Sequence, residues 1–423
     1  MRSSRFATLT AHLIDVIQKK AHFETESGGL MSTDGSRVNF LPPIKLLASQ
    51  RAGYKCSFPE CGKVTIGPGP TPDTVSKLGK AAHIYAASPN GPRGQGAMSE
   101  DQLRSVRNCI WLCSTHADLV DLHRGEKFPA SVLYGYRDLH ESRVSRELGD
   151  LPSLNGWVES ITLGPNPFFA AGTKIQFGKS TVFHGPNGTG KTAVLEWMAT
   201  AFSSELASRW DRTDFSLDVR FLDSVRAHDI EFAHIDSRAE CVVDGKAVPF
   251  NPLDLTVVFV VKEGPEGVLA SRLPLERIAE QVGITPQDAA AVIPFISKDP
   301  ESIISRATVE GTELEITFRD GRARNMPFFS LSASLQELVV IECAIAHSTV
   351  LSGYRPVMLC LDADFGIFDR DNASAVLQRV SSPDLQFQTV VVVHDDRADL
   401  EGWQVYEFEG RDHPKTIKRM IGA

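Results

Sequence analysis

Gly185-Pro-Asn-Gly-Thr-Gly-Lys-Thr192 decides how this 423-residue chain is read. It satisfies G-x-x-x-x-G-K-[ST], follows an apolar strand-like run over 180–184 and precedes a helical stretch that begins at Ala193. Gly185, Gly188 and Gly190 let backbone N–H groups turn toward an anion, and the N-terminus of the following helix adds a favourable field. Asn187 lies inside the loop, Lys191 reaches toward β- and γ-phosphates, and Thr192 offers a hydroxyl to magnesium, so ATP with Mg2+ is the expected ligand.

Downstream, Pro356-Val-Met-Leu-Cys-Leu-Asp362 is an apolar strand ending in a carboxylate, which places Asp362 as the second magnesium ligand. Thr389-Val-Val-Val-Val393 is a second such strand and delivers His394 to the same sheet edge, with a water-facing strand-end histidine as the alternative. Apolar runs of this kind are expected of parallel strands buried on both faces, and hence of an α/β fold. Ser330-Leu-Ser-Ala-Ser-Leu-Gln-Glu337 lies just before the strand ending at Asp362 and opens an apolar helix.

This order of motifs resembles the ABC/SMC-like ATPases over about 157–423, without the long coiled coil, since no sustained heptad runs between the loop and residue 330. The resemblance implies paired heads, in which a signature serine of one head meets the γ-phosphate held by the other. Ser332 and Ser334 are the candidates, with helix capping as the alternative role because the usual Ser-Gly-Gly is missing. The family's glutamate after the strand-end aspartate is replaced by Ala363, with Asp364 one residue further on. Either Asp364 positions the attacking water, or hydrolysis is slow and ATP acts as a clamp.

Upstream, Cys56-Ser-Phe-Pro-Glu-Cys61 and Cys113-Ser-Thr-His116 form two ligand pairs about fifty residues apart, which suits a closed tetrahedral zinc (Zn2+) site that staples a fold. Between them lies Ala81-Ala-His-Ile-Tyr-Ala-Ala-Ser-Pro-Asn-Gly-Pro-Arg93, and Arg107-Asn-Cys-Ile-Trp-Leu-Cys113 leads into the second pair. These stretches resemble the HNH endonucleases over about 50–145. The resemblance implies a small α+β domain of the ββα-metal type, with His83 as general base and Asn108 fixing the hairpin. A neutral imidazole can take a proton from water while a divalent cation, Mg2+ or Mn2+, stabilises charge on a phosphodiester. In many HNH proteins a histidine follows the second zinc pair; here Ala117 stands there, so His83, Asp121 and, more weakly, His123 are the candidate cation ligands, and Arg93 a candidate phosphate contact.

The remaining numbers bound these readings. Seven scattered cysteines do not make a secreted disulfide framework, and neither an eighteen-residue apolar run nor a leader pattern is present, so a cytoplasmic chain with no membrane partner is expected. The net charge is −9, but residues 41–130 hold 11 Lys/Arg against 7 Asp/Glu, or +4, so the basic part coincides with the candidate nuclease. The expected organisation is an amphipathic helix and link over 1–43, the HNH domain over 44–150 and the ATPase domain over 151–423. Together these predict an ATP-regulated, metal-dependent endonuclease acting on DNA, with RNA left open, as a homodimer or higher oligomer. The combination resembles the Septu arrangement of bacterial antiphage systems, which implies a further defence subunit as a possible partner. The alternative is an ATP-dependent DNA clamp or sensor whose HNH module is catalytically weak and which recruits another effector.

Overall fold

The computed structural model describes residues 37–149, 156–203, 208–223, 225–261, 273–362, 365–394, 400, 402–410 and 413–420. The helix expected near the N-terminus, the domain boundary near 151 and the pair Ala363 and Asp364 lie outside the described residues.

Among the described residues, the centre is a six-stranded sheet in the order Thr256–Val261, Val357–Asp362, Gln388–Val393, Ser180–His184, Gln404–Glu409, Thr416–Met420. The first five strands are parallel and the last pairs antiparallel to its neighbour. Side chains alternate between the two faces, as the pleat requires. Val357, Leu359, Leu361, Val391 and Val393 join a core with the helices Pro274–Val282, Pro286–Lys298, Ala333–Ser352 and Arg370–Val380. Met358, Cys360, Val390 and Val392 join a second core, shared with the helix Lys191–Thr200 and an antiparallel sheet. That sheet has the order Lys246–Val248, Arg238–Val243, Ala227–Ile235, Phe215–Asp223, Gly156–Leu163, Thr173–Gln176. The result is a mixed α/β fold of three layers. The helix Ala333–Ser352 is long and apolar enough by composition to cross a membrane, but its middle, from Glu337 to Ala346, is buried in the first core.

The N-terminal module is built on an antiparallel hairpin, Gly79–His83 against Cys109–Cys113, followed at once by the helix Ser114–Asp121. It ends in the helix Ala130–Gly149. This helix buries Leu133, Leu139 and Val144 and also Arg137, Asp138 and His140, because its polar face lies against the rest of the chain. Leu139 packs with Trp157 and Leu222. At Gly135 a Cβ would come within 2.7 Å of the Trp157 ring, so the helix backbone sits directly on the indole. The module also meets Lys179, Asp384 and Gly402. These residues precede the strands Ser180–His184, Gln388–Val393 and Gln404–Glu409, so the module covers the N-terminal edge of the central sheet. Val38–Ala423 forms one compact unit.

Candidate functional site

The Gly-rich loop lies at the opposite, C-terminal edge of the sheet, where ligands bind in open α/β folds. Gly185 and Gly190 adopt φ of 138° and 94°. A Cβ at Gly185 would stand 2.2 Å from the Phe408 carbonyl oxygen, so the neighbouring strand requires glycine there as well as the backbone. Lys191 is buried, and its ammonium donates to the carbonyls of Gly185 at 2.6 Å and Pro186 at 2.7 Å. Burial lowers its pKa to about 8, with Asp362 acting weakly in the other direction. The Thr192 hydroxyl donates directly to the Asp362 carboxylate, and Nδ1 of His394 lies 3.1 Å from the Gly185 carbonyl. Lys191, Thr192, Asp362 and His394, distant in sequence, therefore converge on one cavity of about 460 Å³, which Asn187, Gly188 and Gly190 also line. The hydroxyl and carboxylate are hard oxygen donors in contact, a set that fits magnesium.

Sequence reasoning missed the far wall of this cavity: Phe168, Glu196, Arg209, Trp210 and Lys415. Asn166 sets the turn there, its Oδ1 accepting from the N–H groups of Phe168 at 2.9 Å and Phe169 at 2.8 Å. Lys415 lies 5.0 Å above the Phe168 ring and donates to the Gly188 carbonyl. Glu196 accepts from Trp210 Nε1 at 2.6 Å and Arg209 Nε at 2.8 Å. The only signal for this wall was the aromatic residues themselves, which follow no motif. Ser332 is elsewhere: it caps the helix Ala333–Ser352, accepting from Leu335 N–H, and lies 3.2 Å from the Ser334 hydroxyl on an exposed surface. It does not line the cavity of its own chain.

In the N-terminal module, a tight turn brings Cys56 and Cys61 together, with Cys61 N–H donating to Phe58 O at 3.1 Å and Glu60 at φ 59°. Cys113 is the N-cap residue of the helix Ser114–Asp121, and His116 lies in the first turn. The donor atoms of Cys56, Cys61, Cys113 and His116 all lie within 4.8 Å of one another. His116 Nδ1 is 3.5 Å from Cys56 Sγ and 3.3 Å from Cys113 Sγ. A tetrahedral ion with bonds of about 2.3 Å to sulfur and about 2.0 Å to nitrogen spaces such atoms by about 3.5 Å, so the donor set fits zinc. The Phe58 ring stacks on the His116 imidazole at 4.0 Å and fixes its orientation. Burial pushes the Cys56 thiol up to about 12. Burial acts in the same direction on Cys113, but the His116 N–H and the other sulfurs outweigh it and hold that thiol below its ordinary value.

His83 ends the first hairpin strand, paired with Cys109, and its ring stacks on Phe40 at 3.7 Å and 7°. Asn108 is fully buried; its Oδ1 accepts from Tyr85 N–H at 2.7 Å, and its Nδ2 donates to the carbonyls of Tyr85 at 3.0 Å and Leu103 at 3.1 Å. It therefore positions the loop after His83. Arg93 departs from its expected phosphate-binding role. Its side chain is 4% exposed and clamps the carbonyls of Ile84, Val120 and His83 together with the Asp121 carboxylate, at 2.7 Å. That leaves the guanidinium no face for a phosphate. Nor does the structure gather His83, Asp121 and His123: among the described residues only the Cys56 cluster groups three or more such ligands. Asp121 is held by Arg93, and His123 is exposed just past the helix end, at φ 51°. These three do not form a cation site as they stand.

No protein-family model matches the sequence, and no curated protein matches it. Solved structures that the chain resembles include the SMC head domain from Thermotoga maritima, at 13% identity and a TM-score of 0.42 over 62% of this chain and 98% of that one. An Smc head domain derived from Pyrococcus furiosus, with an extended coiled coil and bound to the C-terminal domain of ScpA, is 12% identical with a TM-score of 0.43, over 63% and 96%. The recombination mediator protein RecF with ATP is 12% identical with a TM-score of 0.40, over 63% and 100%. At these identities and scores the likeness assigns neither activity nor ligand to this chain.

Proposed function

We propose that the chain is an ATP-binding, DNA-directed endonuclease: a zinc-stapled nuclease module of the HNH type seated on a P-loop ATPase core of the ABC/SMC-like kind. The observation that carries the ATPase half is the convergence of Lys191, Thr192, Asp362 and His394 on one cavity. Magnesium-ATP, when bound there, supplies the γ-phosphoryl group and a charge-neutralising cation. The chain's own part is electrostatic. Loop N–H groups, the helix N-terminus and the Lys191 ammonium, now on the Gly185 and Pro186 carbonyls, would hold the phosphates, and Thr192 and Asp362, in contact here, would hold the cation. His394, at the end of the neighbouring strand and lining the same cavity, is the proposed contact to the terminal phosphate.

The nuclease half is supported by the hairpin followed by a helix, the four-ligand cluster at its base, and His83 at the strand end beside the Asn108-locked loop. His83 is the proposed base toward water, its ring orientation held by Phe40. Among the described residues, His83, Asp121 and His123, expected to hold a catalytic cation, are not assembled. That same observation favours the alternative reading, a DNA clamp or sensor with a weak nuclease module, and the two make opposite forecasts. Supercoiled plasmid is incubated with purified wild type, His83→Ala and Lys191→Ala, with Mg2+ or Mn2+ and with or without ATP. The nuclease reading requires nicking that His83→Ala abolishes and that ATP or Lys191→Ala alters. Plasmid binding without nicking under all these conditions would transfer the assignment to the clamp.

A further inference from the structure

We propose that Lys179, a residue of the ATPase core, is a positioning residue of the nuclease centre, acting through Asp138 and Arg137 on the loop that Asn108 locks. The proposal rests on the nuclease reading of the module for its catalytic consequence, and on geometry alone for the loop. Lys179 is 2% exposed, and its ammonium donates to Asp138 Oδ2 at 2.7 Å and to the Pro383 carbonyl at 3.0 Å. Asp138 Oδ1 accepts from Arg137 Nε at 3.0 Å and Nη2 at 2.7 Å. The remaining arm of that guanidinium, Nη1, donates to the Arg107 carbonyl, one residue before Asn108. Asn108 in turn holds Tyr85 by both N–H and carbonyl, and its own carbonyl accepts from Ile84 N–H at 2.9 Å. Hydrogen bonds thus run from the start of the strand Ser180–His184 to the Arg107 carbonyl and, across the Arg107–Asn108 peptide, from Asn108 to the two residues that follow His83.

Three ionic groups are buried in this chain. An apolar filling of the same volume would stabilise the interface as well or better, because desolvating charges is costly. What the charged groups supply is direction: each end of the relay terminates on a main-chain carbonyl, Arg107 on one side and Pro383 on the other. Arg107 and Asp384 form a second, exposed ion pair at 3.0 Å beside it, so the same loop is tied twice to the same corner of the core. The nucleotide cavity lies at the far ends of these strands and includes none of these residues. Loss of the relay should therefore affect the nuclease loop and leave nucleotide binding alone.

The test uses the full chain as wild type, Lys179→Met, Lys179→Arg and the double variant Asp138→Leu/Lys179→Met, which removes the buried carboxylate and ammonium together and leaves the Arg137 guanidinium with only the Arg107 carbonyl. Hydrogen exchange is followed at the amides of Ile84, Tyr85 and Asn108, with plasmid cleavage and ATP affinity in parallel. In Lys179→Met the expected result is a loss of protection at these amides of about tenfold or more, and a fall in kcat of up to about a hundredfold at unchanged KM. ATP affinity stays as in wild type, and Lys179→Arg recovers part of both losses. A double variant that melts as wild type does and keeps wild-type protection and kcat would overturn the proposal, since the charged relay would then be dispensable. If wild type itself does not cleave, the nuclease reading fails, and the exchange data alone decide whether Lys179 positions the loop.

Discussion

Raising the pH from 7 to 9 should weaken ATP binding through one side chain, Lys191. Its ammonium is held in a buried pocket with two carbonyls for company, and its pKa falls from 10.5 to about 8. Burial thus disfavours the charged form as long as no phosphate oxygen faces the ammonium. The folded pKa lies below the unfolded one, so the folded chain binds fewer protons between pH 8 and 10.5. Lys191 therefore penalises stability below pH 8, and the penalty fades as the pH rises toward 10.5. Phosphate oxygens reverse this preference, because they require the ammonium. Binding above pH 8 must recharge the lysine, and the apparent Kd rises as one plus ten to the power of pH minus 8. The change from pH 7 to pH 9 is about tenfold, near 1.4 kcal/mol. Calorimetric titration in buffers of different ionisation heat should show uptake of about 0.9 proton at pH 9 and about 0.1 at pH 7. Lys191→Arg, charged throughout, should lose the dependence. A flat Kd without proton uptake in wild type, or an undiminished dependence in Lys191→Arg, would refute the argument.

Further outcomes are expected in the N-terminal module. The purified chain should carry one zinc, and a chelator or Cys113→Ser should lower its stability by several kcal/mol, with exchange opening first around Cys56 and His116; an unchanged melting curve in metal-free protein would show that the cluster needs no ion. Asn108→Ala deletes three buried hydrogen bonds worth about 1 kcal/mol each, so urea titration should show a loss of about 3 kcal/mol, and a loss under about 1 kcal/mol would mean the loop is held by other groups.

Much of this arrangement was legible in the sequence, because some of its parts are local. The Gly-rich loop needs eight consecutive residues, and the strands ending at Asp362 and His394 announce themselves by uninterrupted apolar runs bounded by a polar residue. The Cys56 and Cys113 pairs are each local as well, and they meet where the Ser57 N–H donates to the Trp111 carbonyl on the strand that leads to Cys113. Other features depend on contacts that no window contains. Phe168, Arg209, Trp210 and Lys415 reach the nucleotide cavity from three separate segments. Arg93 reads as a basic residue after a Gly-Pro turn, and only the fold reveals that four inward bonds consume it. In the helix Ala130–Gly149, Arg137 pairs with Asp138 and Asp138 with Lys179, more than forty positions away, so the burial of these charges depends on a contact that no local stretch contains.

If the Cys/His module cuts DNA as proposed, its seat at the N-terminal edge of the central sheet has a bearing on the products. If two chains pair through their nucleotide edges, their modules point away from each other, back to back. Strands of about six residues span roughly 20 Å, so the two modules of such a pair, lying beyond the strand ends, stand at least about 40 Å apart. One turn of duplex DNA measures about 34 Å. A duplex stretched along the pair would receive its two incisions more than a turn apart and leave long single-stranded overhangs, whereas two duplexes, one at each pole, would each be nicked once. The spacing of the scissions, read on a sequencing gel, would thus report the geometry of the assembly that made them.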